Sequence, residues 1–363
     1  MAQNNSRTRA FETTAGHKKN HKKHKSKKRI RQQIVISILA VIALILVVFA
    51  TLIIGKILTH KKNKTPDIPP ASIFTVNRNE ANVHIGNLLL INEQYKFDYA
   101  SNGLVATDYI TLPEGIVNLW SFKNSSTNNS ETKINISGTE IYAPTYELAN
   151  PNLANQICLD KATLNAFNKM MIDYCKTLDL SSYSEGSASK INIAWGWSHE
   201  SDLLTNDIPK YGNAFFSQAD GKSLTLMKVK AGQEQDRITE SILINDFNWI
   251  YENAHKYGFI NRYPNACEGH TGFNSNVRIH LRYIGIEHAT YIYENGCCLD
   301  KYLEDLRDNY SYENPLEFTA NGKTYKVYYV AYTGNPTSIP VPEDKTYSIS
   351  GNNMNGFIVT VEQ

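Results

Sequence analysis

The feature that most constrains this chain is an unbroken apolar run, IVISILAVIALILVVFATLIIG, over residues 34–55. The run carries no charge. At about 1.5 Å per residue, a helix of this length reaches about 33 Å, enough to cross a hydrocarbon core of about 30 Å. The run therefore predicts one membrane-spanning helix, with the rest of the chain folding on either side of it.

Charge on the two sides of the run predicts its orientation. Residues 1–31 carry eleven Lys/Arg against one acid, Glu12, so residues 1–33 are predicted to be a disordered basic tail. The positive-inside rule puts this tail in the cytoplasm and the chain from about residue 65 outside a cell membrane that it crosses once. A role in setting membrane orientation and in binding anionic lipid headgroups explains the basic tail better than nucleic-acid binding does. We therefore expect no nucleic-acid partner.

The cysteines predict neither a zinc ribbon nor a disulfide framework. There are five, an odd number, and no two of them form a CxxC pair. Cys158 and Cys175 could form a bridge, but buried free thiols explain them equally well. Across the full chain, 42% of the residues are hydrophobic and 11% are aromatic, which is enough for a packed core.

The part of the chain after the apolar run divides by composition and periodicity. A Lys/Pro-rich stalk is predicted over residues 56–83. Helical and alternating patterns then mix without strict strand–helix alternation, which predicts an α+β domain over residues 84–309. Alternating runs with Asn-Gly turns predict a β-rich appendage over residues 310–363. The predicted helices are 159–178, 245–258, 286–296 and 298–309, and the clearest predicted strands are 190–197 and 223–231.

The segment VRIHLRYIGIEHA, residues 277–289, alternates as a half-buried strand. Val277, Ile279, Leu281 and Tyr283 would face the core, and Arg278, His280 and Arg282 would face the other way. Two arginines beside His280 repel a divalent cation unless carboxylates balance them, so this face suits an anion better than a metal. Alternatively, the arginines pair internally with acids such as Glu287 or Asp300.

Three segments around this strand resemble a known family. NAHKYGFINRYP (253–264), TG (271–272) and HLRYIGIEHA (280–289) are similar to the D-alanyl-D-alanine carboxypeptidase (VanY-like) family, and a weaker likeness extends over residues 84–309. The resemblance implies an α+β domain of the hedgehog/DD-peptidase type that holds one zinc ion. It also implies a protein of a Gram-positive bacterium that removes terminal D-alanine from peptidoglycan stem peptides outside the membrane.

The family pattern assigns roles to particular positions. Its zinc ligands are a His and an Asp seven residues apart, in Ser-Glu-His-x-x-Gly-x-Ala-x-Asp, and a later His that follows the general-base Glu by three residues. His280 matches the last ligand. When Ser217 is aligned with the motif serine, Ala219 and Leu226 occupy the other two ligand positions, and the general-base position falls on Val277 or Asn276. None of these four can bind zinc or accept a proton.

The family's substrate-binding pattern is altered as well. Ser-Gly-Tyr-Arg-Ser aligns with the segment from Trp195 to His199, so the arginine that would contact the substrate carboxylate is replaced by Ser198. The two tryptophans are either core residues or a stacking surface. The candidate substrate-binding residues are Trp195, Trp197, Ser198, Arg278 and Arg282.

Two other groups could supply a metal site, namely the pair His199 and Asp207, and Cys267 with His270 beside His280. We weigh two hypotheses. In the first, the protein is catalytically degenerate, has no cofactor, and binds peptidoglycan peptides or a cell-surface protein. In the second, it is an active zinc carboxypeptidase with a rearranged metal site.

Overall fold

The computed structural model describes residues 73–105, 111–119, 132–136, 139–143, 147–148, 157–177, 190–198, 200, 216–229, 248–273 and 279–363. All described residues belong to one compact unit, Ala71–Gln363. Within these ranges no helix is long and apolar enough to span a membrane. The predicted tail (1–33) and membrane-spanning segment (34–55) lie outside them, as do Val277, Arg278 and the pair His199 and Asp207.

Strands and helices alternate irregularly along the described chain. The strands are β1 (Ile73–Arg78), β2 (Ile116–Asn118), β3 (Thr132–Ile136), β4 (Thr139–Ala143), β5 (Glu147–Leu148), β6 (Cys158–Asp160), β7 (Lys190–Trp195), β8 (Ser223–Val229), β9 (Phe259–Asn261), β10 (Ile279–Tyr283), β11 (Leu316–Ala320), β12 (Lys323–Ala331), β13 (Thr337–Pro342), β14 (Tyr347–Gly351) and β15 (Gly356–Glu362). The α-helices are α1 (Lys161–Cys175), α2 (Glu268–Thr271), α3 (Ile286–Glu294) and α4 (Leu299–Asn309), with helical residues at 248–253 and 3-10 turns at Glu80–His84, Ala254–Tyr257 and Asn265–Cys267.

A five-stranded sheet lies at the centre, in the order β5-β7-β8-β10-β9. Neighbouring strands are antiparallel except for the parallel pair β5 and β7. Leu224, Leu226 and Leu281 project from one face of the sheet into a core that also contains Leu164 and Phe167 of α1. The strands predicted over 190–197 and 223–231, and the mixed α+β class, are confirmed.

The helix boundaries follow local chemistry. Asp160 caps α1 by accepting a hydrogen bond from the backbone N–H of Thr163, at 2.9 Å. Gly258 ends the helical stretch at 248–257 with φ = 88°, a left-handed conformation that glycine adopts without steric cost. The four predicted helices are therefore present, the second of them as an α-helical segment followed by a 3-10 turn.

The C-terminal residues form an antiparallel sheet in the order β11-β12-β15-β14. Asn321 and Gly322, with φ values of 49° and 76°, make the tight turn between β11 and β12. The prediction of β structure in this region is confirmed.

The stalk prediction needs a correction. Strand β1, which lies within the predicted stalk, pairs in antiparallel register with β13 over six residue pairs. The 3-10 turn Glu80–His84 follows it, and Val83 packs into the core of the C-terminal sheet. The stalk was predicted from its Lys/Pro content, whereas the strand depends on a partner more than 250 residues away.

The C-terminal sheet shares its packing with the rest of the unit. Leu88 and Leu90 lie in one buried cluster with Ile358 of β15. The Asn353 side-chain amide donates to the carbonyls of Leu90, Tyr95 and Lys96 at 2.9, 3.1 and 3.1 Å. Asn353 lies in the loop between β14 and β15, so this loop ties the C-terminal β region to residues that belong to the predicted α+β domain.

A buried histidine also lies at this junction. The two ring nitrogens of His288, on α3, lie 2.8 Å from the Tyr302 hydroxyl and 3.0 Å from the Thr360 hydroxyl of β15. Burial lowers the pKa of His288, and nearby Glu287 only partly opposes this effect. The ring is therefore a neutral hydrogen-bonding link between α3, α4 and the C-terminal sheet.

Candidate functional site

The register of β8 against β10 decides which side chains surround His280. His280 lies opposite Thr225, while Ile279 and Leu281 lie opposite Leu226 and Leu224. Because side chains alternate across a sheet, the leucines and isoleucine enter the core on one face, and Thr225 and His280 share the other. Both are buried, with exposed fractions of 0% and 5%.

His280 lies in a chain of hydrogen-bonded polar side chains that contains no carboxylate, which we call the neutral chain: Ser198, Gln218, Thr225 and His280. Ser198 Oγ donates to Gln218 Oε1 at 3.2 Å, and Gln218 Nε2 donates to Thr225 Oγ1 at 2.9 Å. Thr225 Oγ1 lies 3.0 Å from His280 Nδ1. A consistent assignment has the threonine hydroxyl accept from the amide and donate to Nδ1, which places the imidazole proton on Nε2.

Aromatic rings close the other side of the histidine. Tyr263 and Phe273 meet the His280 ring edge-on, with centroids 5.6 and 5.8 Å away, and they contact each other at 4.7 Å. Tyr263 follows β9, and Phe273 follows the short helix α2. The imidazole therefore lies between the Thr225 hydroxyl on one side and the aromatic rings of Tyr263 and Phe273 on the other.

Arg282 lies on the same face of β10 but is engaged differently. Its side chain is fully buried and forms an ion pair with Asp220, with Nη2 2.7 Å from Oδ2. It also donates to the carbonyls of Ser217 and Leu89, at 2.9 and 3.1 Å, and to the Ser223 hydroxyl at 3.2 Å. Arg282 thus holds the turn before β8 against β10 and is not presented to a ligand in this structure.

The acids considered from the sequence as partners for Arg282 were the wrong ones. Asp300 pairs with Arg262, which is also buried. The actual partner, Asp220, is 62 residues from Arg282 and became its neighbour only through strand pairing. The half-buried pattern expected for this strand is also corrected, since both faces of β10 are buried from Ile279 to Arg282.

The remaining candidate residues take varied positions. Trp197 is a core residue whose Nε1 donates to the Ala219 carbonyl at 2.9 Å, and Trp195 is half-buried. Ser198 is buried and faces Gln218. Ala219 lies in the core with Trp197, and Leu226 lies in the core beside α1, so neither side chain lies with His280.

Sequence reasoning missed Gln218 and Thr225, although a signal was available. The two are seven residues apart, and Gly221 falls between them at the place of the glycine in the family pattern. Aligning on Gly221, instead of on Ser217, shifts the register by one residue and brings Gln218 and Thr225 to the ligand positions. The alternation of β8, with Leu224 and Leu226 in the core, requires the same shift.

The side chains around His280 do not fit a zinc ion. Zinc sites in proteins use imidazole, thiolate or carboxylate ligands, whereas Gln218 and Thr225 offer an amide and a hydroxyl. Across the described ranges, no three His, Cys, Asp or Glu side chains are grouped so that they could hold a metal. Cys267, His270 and His280 therefore do not converge as a ligand set.

Comparisons with known proteins agree with the fold and the sequence resemblance. A D-alanyl-D-alanine carboxypeptidase from Enterococcus faecium is 41% identical over 113 residues, which cover 31% of this chain and 35% of the relative. One from Enterococcus faecalis is 49% identical over 57 residues, 16% of this chain and 21% of the relative. The chain thus spans about a third or less of the length of these curated relatives. No family model matches it.

A solved structure shares the fold over most of the described unit. The vancomycin-resistance D,D-dipeptidase VanXYg, in complex with a D-Ala-D-Ala phosphinate analogue, matches with a TM-score of 0.55 and 21% identity, covering 80% of this chain and 100% of that one. At this identity the likeness establishes the mixed helix-and-sheet fold. The sequence relatives confirm the predicted resemblance: the chain is similar to the D-alanyl-D-alanine carboxypeptidase (VanY-like) family, with marked divergence.

Proposed function

We propose that the protein is a membrane-anchored, extracytoplasmic member of this family that binds peptidoglycan stem peptides without hydrolysing them. The observation that carries the proposal is the neutral chain, in which Gln218 and Thr225 stand where the family pattern has a His and an Asp. The relatives named as D-alanyl-D-alanine carboxypeptidases indicate the ligand class.

Hydrolysis by this family's chemistry requires a metal-bound water and a carboxylate base. Here His280 is the one side chain of the three that suits zinc, and its Nδ1 is engaged by the Thr225 hydroxyl. The general-base position falls on Val277 or Asn276, and neither side chain can accept a proton. These substitutions support binding without turnover. The buried Arg282–Asp220 pair still holds β10 to the turn before β8, beside the site.

The anchor and its orientation form part of the proposal. Residues 34–55 would cross the membrane once, with the basic tail in the cytoplasm and the family domain outside. Protease protection in sealed, right-side-out vesicles tests this arrangement. Cleavage of the family domain, with the tail protected, is the expected result, and protection of both parts would contradict it.

Restoring the ligands provides the sharpest test of the site. We expect the purified full chain to hold no stoichiometric zinc, and the Gln218→His/Thr225→Asp variant to gain about one zinc per chain by completing a three-ligand set with His280. The matched control is Ala219→His/Leu226→Asp, which puts the same groups in the core and should gain no zinc. Equal zinc uptake by both variants would contradict the proposed site.

Activity and binding are measured on the same wild-type protein. We expect calorimetric binding of a stem pentapeptide ending in D-Ala-D-Ala, weaker binding of the tetrapeptide that lacks the last D-alanine, and no release of D-alanine. Chelator-sensitive D-alanine release by the wild type would instead establish the active enzyme. Failure to bind at millimolar peptide would leave a cell-surface protein as the partner.

A further inference from the structure

Gln218 lies in the middle of the neutral chain, and its amide gives the chain a direction. An amide has donors on its nitrogen and an acceptor on its oxygen. The Oε1 atom accepts from Ser198 Oγ at 3.2 Å, and the Nε2 atom donates to Thr225 Oγ1 at 2.9 Å. A hydroxyl has a single proton. Because the Thr225 hydroxyl accepts from the amide, its own proton is left for the Nδ1 atom of His280, 3.0 Å away.

The backbone around Gln218 holds the amide in this place. The Gln218 carbonyl accepts from the backbone N–H of Ser198 at 3.2 Å and from that of Gly221 at 3.0 Å. The Ser198 carbonyl in turn accepts from the Tyr99 hydroxyl at 2.9 Å. Gln218 and Thr225 have exposed fractions of 3% and 0%, so bulk water does not compete for their hydrogen bonds. The direction of the amide is therefore passed on to the imidazole.

We propose that Gln218 is a positioning residue that acts through Thr225 to set which ring nitrogen of His280 carries the proton. Nδ1 accepts from the Thr225 hydroxyl, and the proton stays on Nε2. A metal ion binds a ring nitrogen through its lone pair. In this state the lone pair of Nδ1 is used by the hydroxyl, and Nε2 has none to offer. The amide thus keeps His280 from serving as a metal ligand.

The same state defines what His280 can recognise. Nε2 offers a proton, so a ligand atom that binds there must be a hydrogen-bond acceptor. In a stem peptide the acceptors include the carbonyl and carboxylate oxygens. Recognition of such an oxygen rests on the proposed function, whereas the position of the proton does not.

The full chain, labelled with ¹⁵N at its histidines, tests the position of the proton. Long-range ¹H–¹⁵N spectra at pH 8 distinguish protonated from unprotonated ring nitrogens, and the His280 signals are those that His280→Gln removes. We expect Nε2 of His280 to be protonated and Nδ1 to be unprotonated. A proton on Nδ1 in the wild type, or an even mixture of the two tautomers, would overturn the proposal.

Removing the amide should release the direction. In Gln218→Met nothing donates to the Thr225 hydroxyl in place of the amide, so the hydroxyl can either donate to Nδ1 or accept from it, and we expect both tautomers to be populated. In Gln218→Glu an ionised carboxylate can only accept, so Thr225 donates to it and Nδ1 gains the proton. Gln94→Met, at an exposed glutamine, is the matched control and should keep the wild-type pattern. An unchanged pattern in Gln218→Met would overturn the role of Gln218.

A pair of changes at Thr225 tests the step between the amide and the ring. Thr225→Ser keeps the hydroxyl and should keep the proton on Nε2, whereas Thr225→Val removes the hydroxyl and should leave both tautomers populated. This pair also decides the matter if the changes at Gln218 prevent folding. A wild-type pattern in Thr225→Val would mean that the hydroxyl does not fix the tautomer, and the proposal would be wrong.

Titration with the stem pentapeptide separates recognition from the position of the proton. We expect the peptide to shift the Nε2 proton signal of the wild type, and Gln218→Met to bind about fivefold more weakly, as for the loss of one hydrogen bond of ordinary strength. Binding that leaves the Nε2 signal unmoved would overturn the recognition of an acceptor at Nε2. Absence of any binding would contradict the proposed function, while the spectra of the free protein would still decide where the proton lies.

Discussion

His280 and Arg282 lie two residues apart on one face of β10, and the protein accommodates their polarity in different ways. His280 is held by uncharged groups, the hydroxyl of Thr225 and, through it, the amide of Gln218. Arg282 is paired with the carboxylate of Asp220, and its two Nη atoms also donate to backbone carbonyls. The residues that hold β10 to the turn before β8 (Arg282 and Asp220) are therefore different from the residues that contact His280. The residues around His280 could change while this ion pair kept the strands in place.

Removing the partner of the charged side chain should have the largest effect. Asp220→Asn leaves the buried guanidinium of Arg282 without a counter-charge, which should lower the free energy of unfolding by about 3–5 kcal/mol. Urea unfolding followed by tryptophan fluorescence measures the change. Asp308→Asn, which disrupts the exposed pair with Arg307, is the control and should leave the unfolding midpoint unchanged. Equal losses in the two variants would remove the distinction between the buried pair and surface pairs.

Breaking the neutral chain should cost less. Thr225→Val keeps the shape of the side chain but removes the hydroxyl between Gln218 and His280, leaving a buried donor and a buried acceptor without that partner. We expect a loss of about 1–3 kcal/mol in the same unfolding measurement. Thr225→Ser, which keeps the hydroxyl, should recover most of the stability. A loss as large as that of Asp220→Asn would mean that these hydrogen bonds matter as much to stability as the buried ion pair does.

A second buried histidine extends the comparison to pH. Because burial lowers the pKa of His288, the unfolded chain takes up its proton first as the pH falls. Stability should therefore decline as the pH drops through the unfolded value of about 6.5 and level off below the lowered folded value. Unfolding free energies between pH 7.5 and 5 measure this slope, which His288→Gln should reduce. An unchanged slope in that variant would assign the pH dependence to other groups.

Local pattern predicted much of the fold. The spacing of Leu164 and Phe167 along α1, the Asp160 cap, the Gly258 stop and the alternation of β8 are all short-range signals, and each corresponds to the observed element. The C-terminal strands were equally visible because Asn321 and Gly322 mark a tight turn.

The details of the candidate site needed information that is not local. Shifting the alignment from Ser217 to Gly221 changes which residues face His280, and only the pairing of β8 with β10 decides between the two registers. The partner of Arg282 is likewise set by the tertiary fold. The pairing of β1 with β13 joins residues from opposite ends of the compact unit, so composition near β1 could not reveal it.

That pairing has a mechanical consequence. Because β1 starts at Ile73, tension transmitted along the chain from the proposed anchor would first load the β1–β13 ladder and then the C-terminal sheet behind it. The six residue pairs of this ladder would bear the load before the rest of the domain does. The hydrogen bonds around His280 belong to the five-stranded sheet, to which neither β1 nor β13 contributes, so load would reach them only after this ladder.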